Sequence, residues 1–288
     1  MRRLILAAAL PALAFAGAAN ADHHKAGDHA KHSEAMFKEH HGDALSAALD
    51  HPTRTADKPR DQYRNPAETL AFFHVAPHMK VGEYSPGGGW YSRVLGNYLS
   101  GEGKLVGIYP SAVLATNDPA RQQSIRDAAA AFPAQAEGWT GVTADRFGGL
   151  SLDAIPQEEV GTFDRILVIR SLHGRLRDGI ADSEIRAMRT LLKDDGMLGI
   201  VQHRAKSDAP FSYADGSRGY LRQADVVAFM QVHGFELVGT SEINANPNDT
   251  ADHPQGVWEM PPVWSTKREE LKDLGESDRM TLLFKKAD

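Results

Sequence analysis

The chain predicts a doubly wound, mostly parallel α/β sheet, and three observations predict it. From residue 65 onward, short apolar runs alternate with stretches of helical periodicity, the pattern of successive βαβ units. Phe163-Asp164-Arg165-Ile166-Leu167-Val168-Ile169-Arg170 is the near-continuous apolar run expected of a strand covered on both faces. Finally, Val81-Gly82-Glu83-Tyr84-Ser85-Pro86-Gly87-Gly88-Gly89-Trp90-Tyr91 reads as a strand ending in an acid, a glycine-rich turn and a helix start. That arrangement belongs at the first crossover of such a sheet, where ligands bind.

The elements follow in order. Asn65-Pro66-Ala67-Glu68 predicts a helix start, with Asn65 as cap and Pro66 in the first turn, and the helix runs to about His74. Met79 to Tyr84 is the first strand. Trp90, Val94, Leu95, Tyr98 and Leu99 are helically spaced behind the glycines. The turn Ser100-Gly101-Glu102-Gly103 leads into Lys104 to Tyr109 as strand two, Asp118 to Ala131 reads as a helix, and Gly141 to Ala144 is the expected third strand. Phe163 to Arg170 is the fourth. A helix over Asp182 to Leu192, closed by Lys193-Asp194-Asp195-Gly196, leads to strand five at Met197 to His203. Gln223 to Val232 is a helix, Phe235 to Ile243 strand six, and Asp278 to Lys286 the last strand. Between the last two lies a long segment with prolines and tryptophans, and a loop of that length is usually functional or disordered; Trp258 and Trp264 favour a packed one, a lid or substrate wall.

Composition sets the limits. The 288 residues are 42% hydrophobic, enough for a substantial core, and the net charge of −6 argues against a nucleic-acid binder. Arg2-Arg3, the apolar run Leu4 to Ala18 and Ala19-Asn20-Ala21 form the pattern of a secretory signal peptide cleaved after residue 21, and no later run is long enough to span a bilayer. A periplasmic location without stable membrane insertion follows as the expectation. The chain has no cysteine, which removes thiolate nucleophiles and cysteine-ligated metals from consideration. Residues 22–60 read as a histidine-rich linker ahead of a domain at 61–288. Its histidines could bind metal, but their irregular spacing and the lack of convergent acidic ligands favour a solvated linker, so no metal site is assigned.

The glycine run carries the chemistry. Glycine takes positive φ without steric cost and lets the backbone approach a ligand, and the helix that follows offers free N–H groups. A tight turn with no ligand is the competing reading. Contiguous glycines after Ser85 and Pro86 do not match the spacing of dinucleotide folds, so nucleotide-dependent redox chemistry is the least favoured class.

Glu83, Gly87 and Gly89 fill an acid-x-x-x-Gly-x-Gly pattern that resembles the first motif of class I S-adenosylmethionine (SAM) methyltransferases. The element order resembles that fold as well: seven strands, Rossmann-like, with the last antiparallel. Together with Val201-Gln202-His203-Arg204-Ala205, Asn246-Pro247-Asn248-Asp249-Thr250 and Ser277-Asp278-Arg279-Met280, the chain is similar to the exported bacterial "predicted methyltransferases" over residues 65–288. The resemblance implies SAM as cofactor and a small molecule or envelope component as substrate. It puts Glu83, Ser85, Gly87 and Gly89 around the methionine end of the cofactor, and Asp145, placed just past the third strand, at the adenine. The ribose position at the end of strand two holds Tyr109 where the family has an acid. A phenol replaces a two-oxygen acceptor poorly, so a catalytically inactive binding protein with a degenerate cofactor site is the alternative. Past strands four and five stand His173 and His203, whose ordinary pKa near neutrality suits a general base; packing or capping histidines are the plainer reading. Arg204 suits either an anionic substrate group or a salt bridge to Asp208 or Asp215. The oligomeric state is not legible in the sequence.

Overall fold

A computed structural model describes residues 40–287. Its seven strands are β1 (Lys80–Tyr84), β2 (Lys104–Tyr109), β3 (Phe147–Ser151), β4 (Phe163–Ile169), β5 (Leu192–His203), β6 (Phe235–Ser241) and β7 (Arg279–Lys286). They form one sheet in the order β3-β2-β1-β4-β5-β7-β6. β7 runs antiparallel to both its neighbours, while the β1–β2, β1–β4, β2–β3 and β4–β5 pairs are parallel. This is the strand order of the class I methyltransferase fold, as the sequence predicts.

Alternation along the strands sends side chains to two cores. In β4, Ile166 and Val168 face one layer and Leu167 the other. The helices are α1 (residues 40–50), α2 (Asp61–Arg64), α3 (Pro66–Phe72), α4 (Trp90–Tyr98), α5 (Ala112–Ala115), α6 (Pro119–Thr140), α7 (Leu172–Arg177), α8 (Ala181–Leu191), α9 (Phe211–Ala214) and α10 (Gln223–Val232). One face of the sheet is covered by α1, α3, α4 and α6, the other by α7, α8 and α10.

Several boundaries differ from expectation, each for a physical reason. The third strand is Phe147–Ser151, and Asp145 lies in the 3-10 turn Ala144–Arg146 before it, exposed at the opposite end of the strand from the ligand edge. Asp145 is therefore misplaced as an adenine-binding residue; Gly148-Gly149 had disguised the true strand as a turn. α6 continues past Pro133 to Thr140 because Phe132 and Ala136, on either side of the proline, are wholly buried. β5 starts directly after α8, and residues 193–196 form an excursion within it: Leu192 pairs with Phe163 and Met197 with Arg165. Asn65 does not cap α3 with its side chain; it adopts a left-handed backbone and its amide donates to the Ile243 carbonyl at 2.7 Å.

The folded unit also begins before residue 61. Leu45 and Ala48 of α1 join the core, and Arg54 is fully buried with its guanidinium on Asp61 at 2.6 Å. Residues 40–60 are thus part of the domain and not a solvated linker. The signal sequence and the histidine tract up to residue 39 lie outside the described residues. No described helix is long and apolar enough to cross a membrane, and the described residues contain no group of three potential metal ligands.

Candidate functional site

A cavity of about 280 Å³ opens at the carboxyl ends of β1 and β4. These strands are neighbours from which the chain proceeds in opposite directions across the sheet, the switch point where open α/β sheets bind ligands. Its floor is the segment Glu83 to Gly88, and Trp90, Tyr91 and Arg93 of α4 form one side. Ile169 and Arg170 close it from β4, and Asp57, Arg60 and Arg64 form the remaining wall.

The turn is built from unusual backbone. Ser85, Gly87 and Gly89 have φ of 53°, 60° and 74°. The two glycines serve different ends. Around Gly87 an added Cβ would meet only the Ser85 carbonyl, at 3.9 Å, whereas at Gly89 it would lie 2.5 Å from the Trp139 ring. Gly89 is therefore required by the packing of α4 on α6, and Gly87 is free to face a ligand. Gly89→Ala should cost about 2–4 kcal/mol, from left-handed strain plus overpacking, and Gly87→Ala about 1–2 kcal/mol. Denaturant midpoints of the two variants check the ranking.

Glu83 is buried and accepts a 2.6 Å hydrogen bond from the Ser92 hydroxyl. Burial pushes its carboxyl up to about 8, more than Ser92 and Arg93 pull it down. The acid at the end of β1 is thus held close to its titration point at neutral pH.

Trp90 explains why the preceding segment forms a wall. Arg64 lies over its ring at 4.5 Å and Arg54 at 5.2 Å, and Asp57 pairs with Arg93 from α4. The resulting wall meets the far end of the chain. Glu276, four-hundredths exposed, accepts from Arg60 at 2.6 Å, Arg64 at 3.1 Å and Arg279 at 3.0 Å, with Arg170 at 3.8 Å. Burial alone would raise this carboxyl, but Arg279, Arg64, Arg170 and Arg60 outweigh it and hold it below its ordinary value. Arg170 occupies the end of β4 with φ of 56°, a left-handed backbone seldom held by a bulky residue. Arg60, Arg64 and Glu276 were not among the residues the sequence singled out, while Arg170 after strand four and Arg279 in the 277–280 motif carried no assigned role.

The two histidines come together, with ring centroids 5.7 Å apart, but neither lines the cavity. His203 is buried, with Nδ1 2.6 Å from the Ser277 hydroxyl. Burial, with Arg170, His173, Arg279 and Arg64 nearby, holds it well below its usual pKa, so it is neutral. His173 is lowered too, again chiefly by burial. Its ring touches the Gln202 amide at 3.3 Å, and Trp258 stands edge-on at 6.2 Å. The long 242–278 segment thereby contributes Glu276, Ser277 and Trp258 to this end of the sheet.

Tyr109 stands at the end of β2, half-buried against Phe132 at 6.3 Å, and burial with the Glu83 charge pushes its phenol up to about 12. It does not line the cavity. Arg204 pairs with Asp278 at 2.8 Å and Glu242 at 2.7 Å, in place of Asp208 or Asp215. Tyr220 is fully buried with its hydroxyl 2.9 Å from Asp249, which also holds His253 at 2.9 Å and the Asp278 amide at 2.8 Å. Asn246-Pro247-Asn248-Asp249 is therefore a latch for the loop.

No protein-family profile matches the chain, and no curated protein sequence matches it. Solved structures similar to it include a SAM-dependent methyltransferase from Aquifex aeolicus (16% identity, 69% of this chain and 93% of that one, TM-score 0.47). Another is the 1,6-didemethyltoxoflavin-N1-methyltransferase of Burkholderia thailandensis, solved with 1,6-didemethyltoxoflavin and S-adenosylhomocysteine (12%, 96% and 94%, 0.45). A third is the [4+2]-cyclase SpnF (17%, 78% and 80%, 0.48). The fold assignment rests on the strand order itself, and identities this low carry no activity across.

Proposed function

We propose that the chain is an exported SAM-dependent methyltransferase acting on a small molecule or an envelope component. The observation that carries this reading is the buried Glu83 carboxyl beneath a glycine-lined cavity at the β1/β4 switch point of this strand order. The amino-acid end of the cofactor fits the residues there. Glu83 would accept from its ammonium group, and Gly87 and Gly88 leave room for close approach. Bound there, the cofactor supplies a methyl group on a sulfonium, a reaction that asks the protein mainly for alignment and exclusion of water. Trp90 and Tyr91, both nearly buried, shield that side. His173, half-buried and neutral, would be the proton acceptor, whereas His203 is too buried and too weak a base for that part. Export rests on the signal-like first 21 residues.

The nucleoside end fits less well, and Tyr109 favours the second reading, a binding protein that has lost its cofactor. No carboxylate ends β2, and the Ser111 amide that follows already donates to Glu184 at 3.1 Å. Asp153, the acid that does follow β3, is tied to Arg126 at 2.7 Å.

Calorimetric titration with SAM and S-adenosylhomocysteine separates the two readings. Micromolar binding, weakened at least about tenfold in Glu83→Ala and Gly87→Ala, is the expected result. No heat and no thermal shift up to millimolar ligand would leave the binding-protein reading.

A further inference from the structure

The arginine wall holds more positive charge than its partners neutralise. Arg60, Arg64, Arg170 and Arg279 all converge on the single carboxylate of Glu276. Four guanidiniums against one carboxylate leave an excess of three positive charges, while the neighbouring Arg93 is matched by Asp57. Buried charge without a partner is costly, so such an excess is held only where something compensates it.

A second observation concerns the same wall. The Arg64 side chain is 3% exposed and lines the cavity, yet its Nη2 has no hydrogen-bond partner among the described residues. A buried donor left unpaired costs about 1–3 kcal/mol. Arg60 and Arg170 line the same wall and keep 31% and 30% of their side-chain surface, so neither side chain is sealed off from a ligand. Arg170 is presented from the end of β4 by its left-handed backbone, a strain that persists only where the surroundings fix it.

We propose that Arg60, Arg64 and Arg170 form an anion subsite that holds a carboxylate or phosphate group of the methyl acceptor. The inference rests on the methyltransferase reading of the same cavity. The single carboxylate at the amino-acid end of the cofactor would offset only one of the three excess charges. A planar guanidinium fork matches the oxygens of carboxylate and phosphate alike. The acceptor is thereby an anion, and the subsite selects against neutral and cationic acceptors of the same size.

The test uses inorganic phosphate as probe, with chloride at equal ionic strength as control, on the purified chain and on Arg170→Gln and Arg60→Gln. Arg64 is left intact because its removal from the interior could unfold the protein; circular dichroism verifies that the two variants are folded. Phosphate should bind in the millimolar range, weaken at least about tenfold in each folded variant, and still bind when S-adenosylhomocysteine saturates the protein. Equal phosphate binding in parent and variants, or none above the chloride control, overturns the subsite. Competitive displacement of phosphate by S-adenosylhomocysteine overturns it as well, because the arginines would then serve the cofactor. Arginine-dependent phosphate binding in a protein that binds neither SAM nor S-adenosylhomocysteine keeps the anion site, removes the methyltransferase reading and with it the acceptor assignment.

Discussion

Glu276→Gln should destabilise the protein by about 3–5 kcal/mol, the cost typical of removing one partner from a buried ion pair. Four arginines share this carboxylate, two of them with side chains only 3% exposed, and the amide would leave their charges facing one another. For a domain of this size the loss corresponds to about 6–10 °C in the unfolding midpoint. Arg60→Gln is the matched control: it removes one charge from the crowded side, leaves the carboxylate paired, and should cost under about 1 kcal/mol. Thermal and urea unfolding of the two variants read the difference directly. A Glu276→Gln variant within about 1 kcal/mol of the parent would mean that the cluster is not the clamp the distances describe. The acid response follows from the same geometry. Glu276 is held below its ordinary pKa of 4.5, so its contribution is complete above that value and is lost as pH falls through the lowered one. Glu276→Gln should remove that part of the acid sensitivity.

The second large effect belongs to Glu83 and has the opposite sign. In the folded chain its carboxyl keeps its proton up to about pH 8, whereas in the unfolded chain it ionises near 4.5. Between these values the unfolded state has released a proton that the folded state retains, so stability falls as pH rises through the window. Glutamine keeps an acceptor for the Ser92 hydroxyl and has no charge to bury. Glu83→Gln should therefore unfold close to the parent at pH 5 and be the more stable protein by a few kcal/mol at pH 8.5. Parallel stability profiles for parent and variant across that range would show that Glu83 is already ionised. The same variant would lose affinity for an ammonium-bearing ligand, so stability and binding move in opposite directions, a mark of a group kept for function.

What the sequence disclosed and what it concealed divide along a physical line. β2 and α10 were legible to the residue, and β4 to within one, because contiguous apolar runs and clear turns are local signals. β3 was not, since Gly148 and Gly149 mimic a turn. Of the site, the Glu83–Gly89 turn was legible because all its parts are adjacent in the chain. The cationic wall was not, because arginine is ordinarily a surface residue and nothing in the local pattern marks Arg60, Arg64 or Arg170 as partners of Glu276. A hint was present in the string Arg60-Asp61-Gln62-Tyr63-Arg64-Asn65-Pro66, which places two arginines one helical turn apart immediately before a helix start.

The contacts of Arg60 and Arg64 with Glu276 close loops of 216 and 212 residues. Ring closures of that length are among the slowest to become favourable in folding, since their entropy must be met before they give anything back. The cavity wall is consequently a late product of folding. It cannot form before residue 276 has been synthesised. Ligand binding at this wall would therefore report on the completeness of the whole molecule, joining its earliest and latest segments as a buckle joins the two ends of a strap.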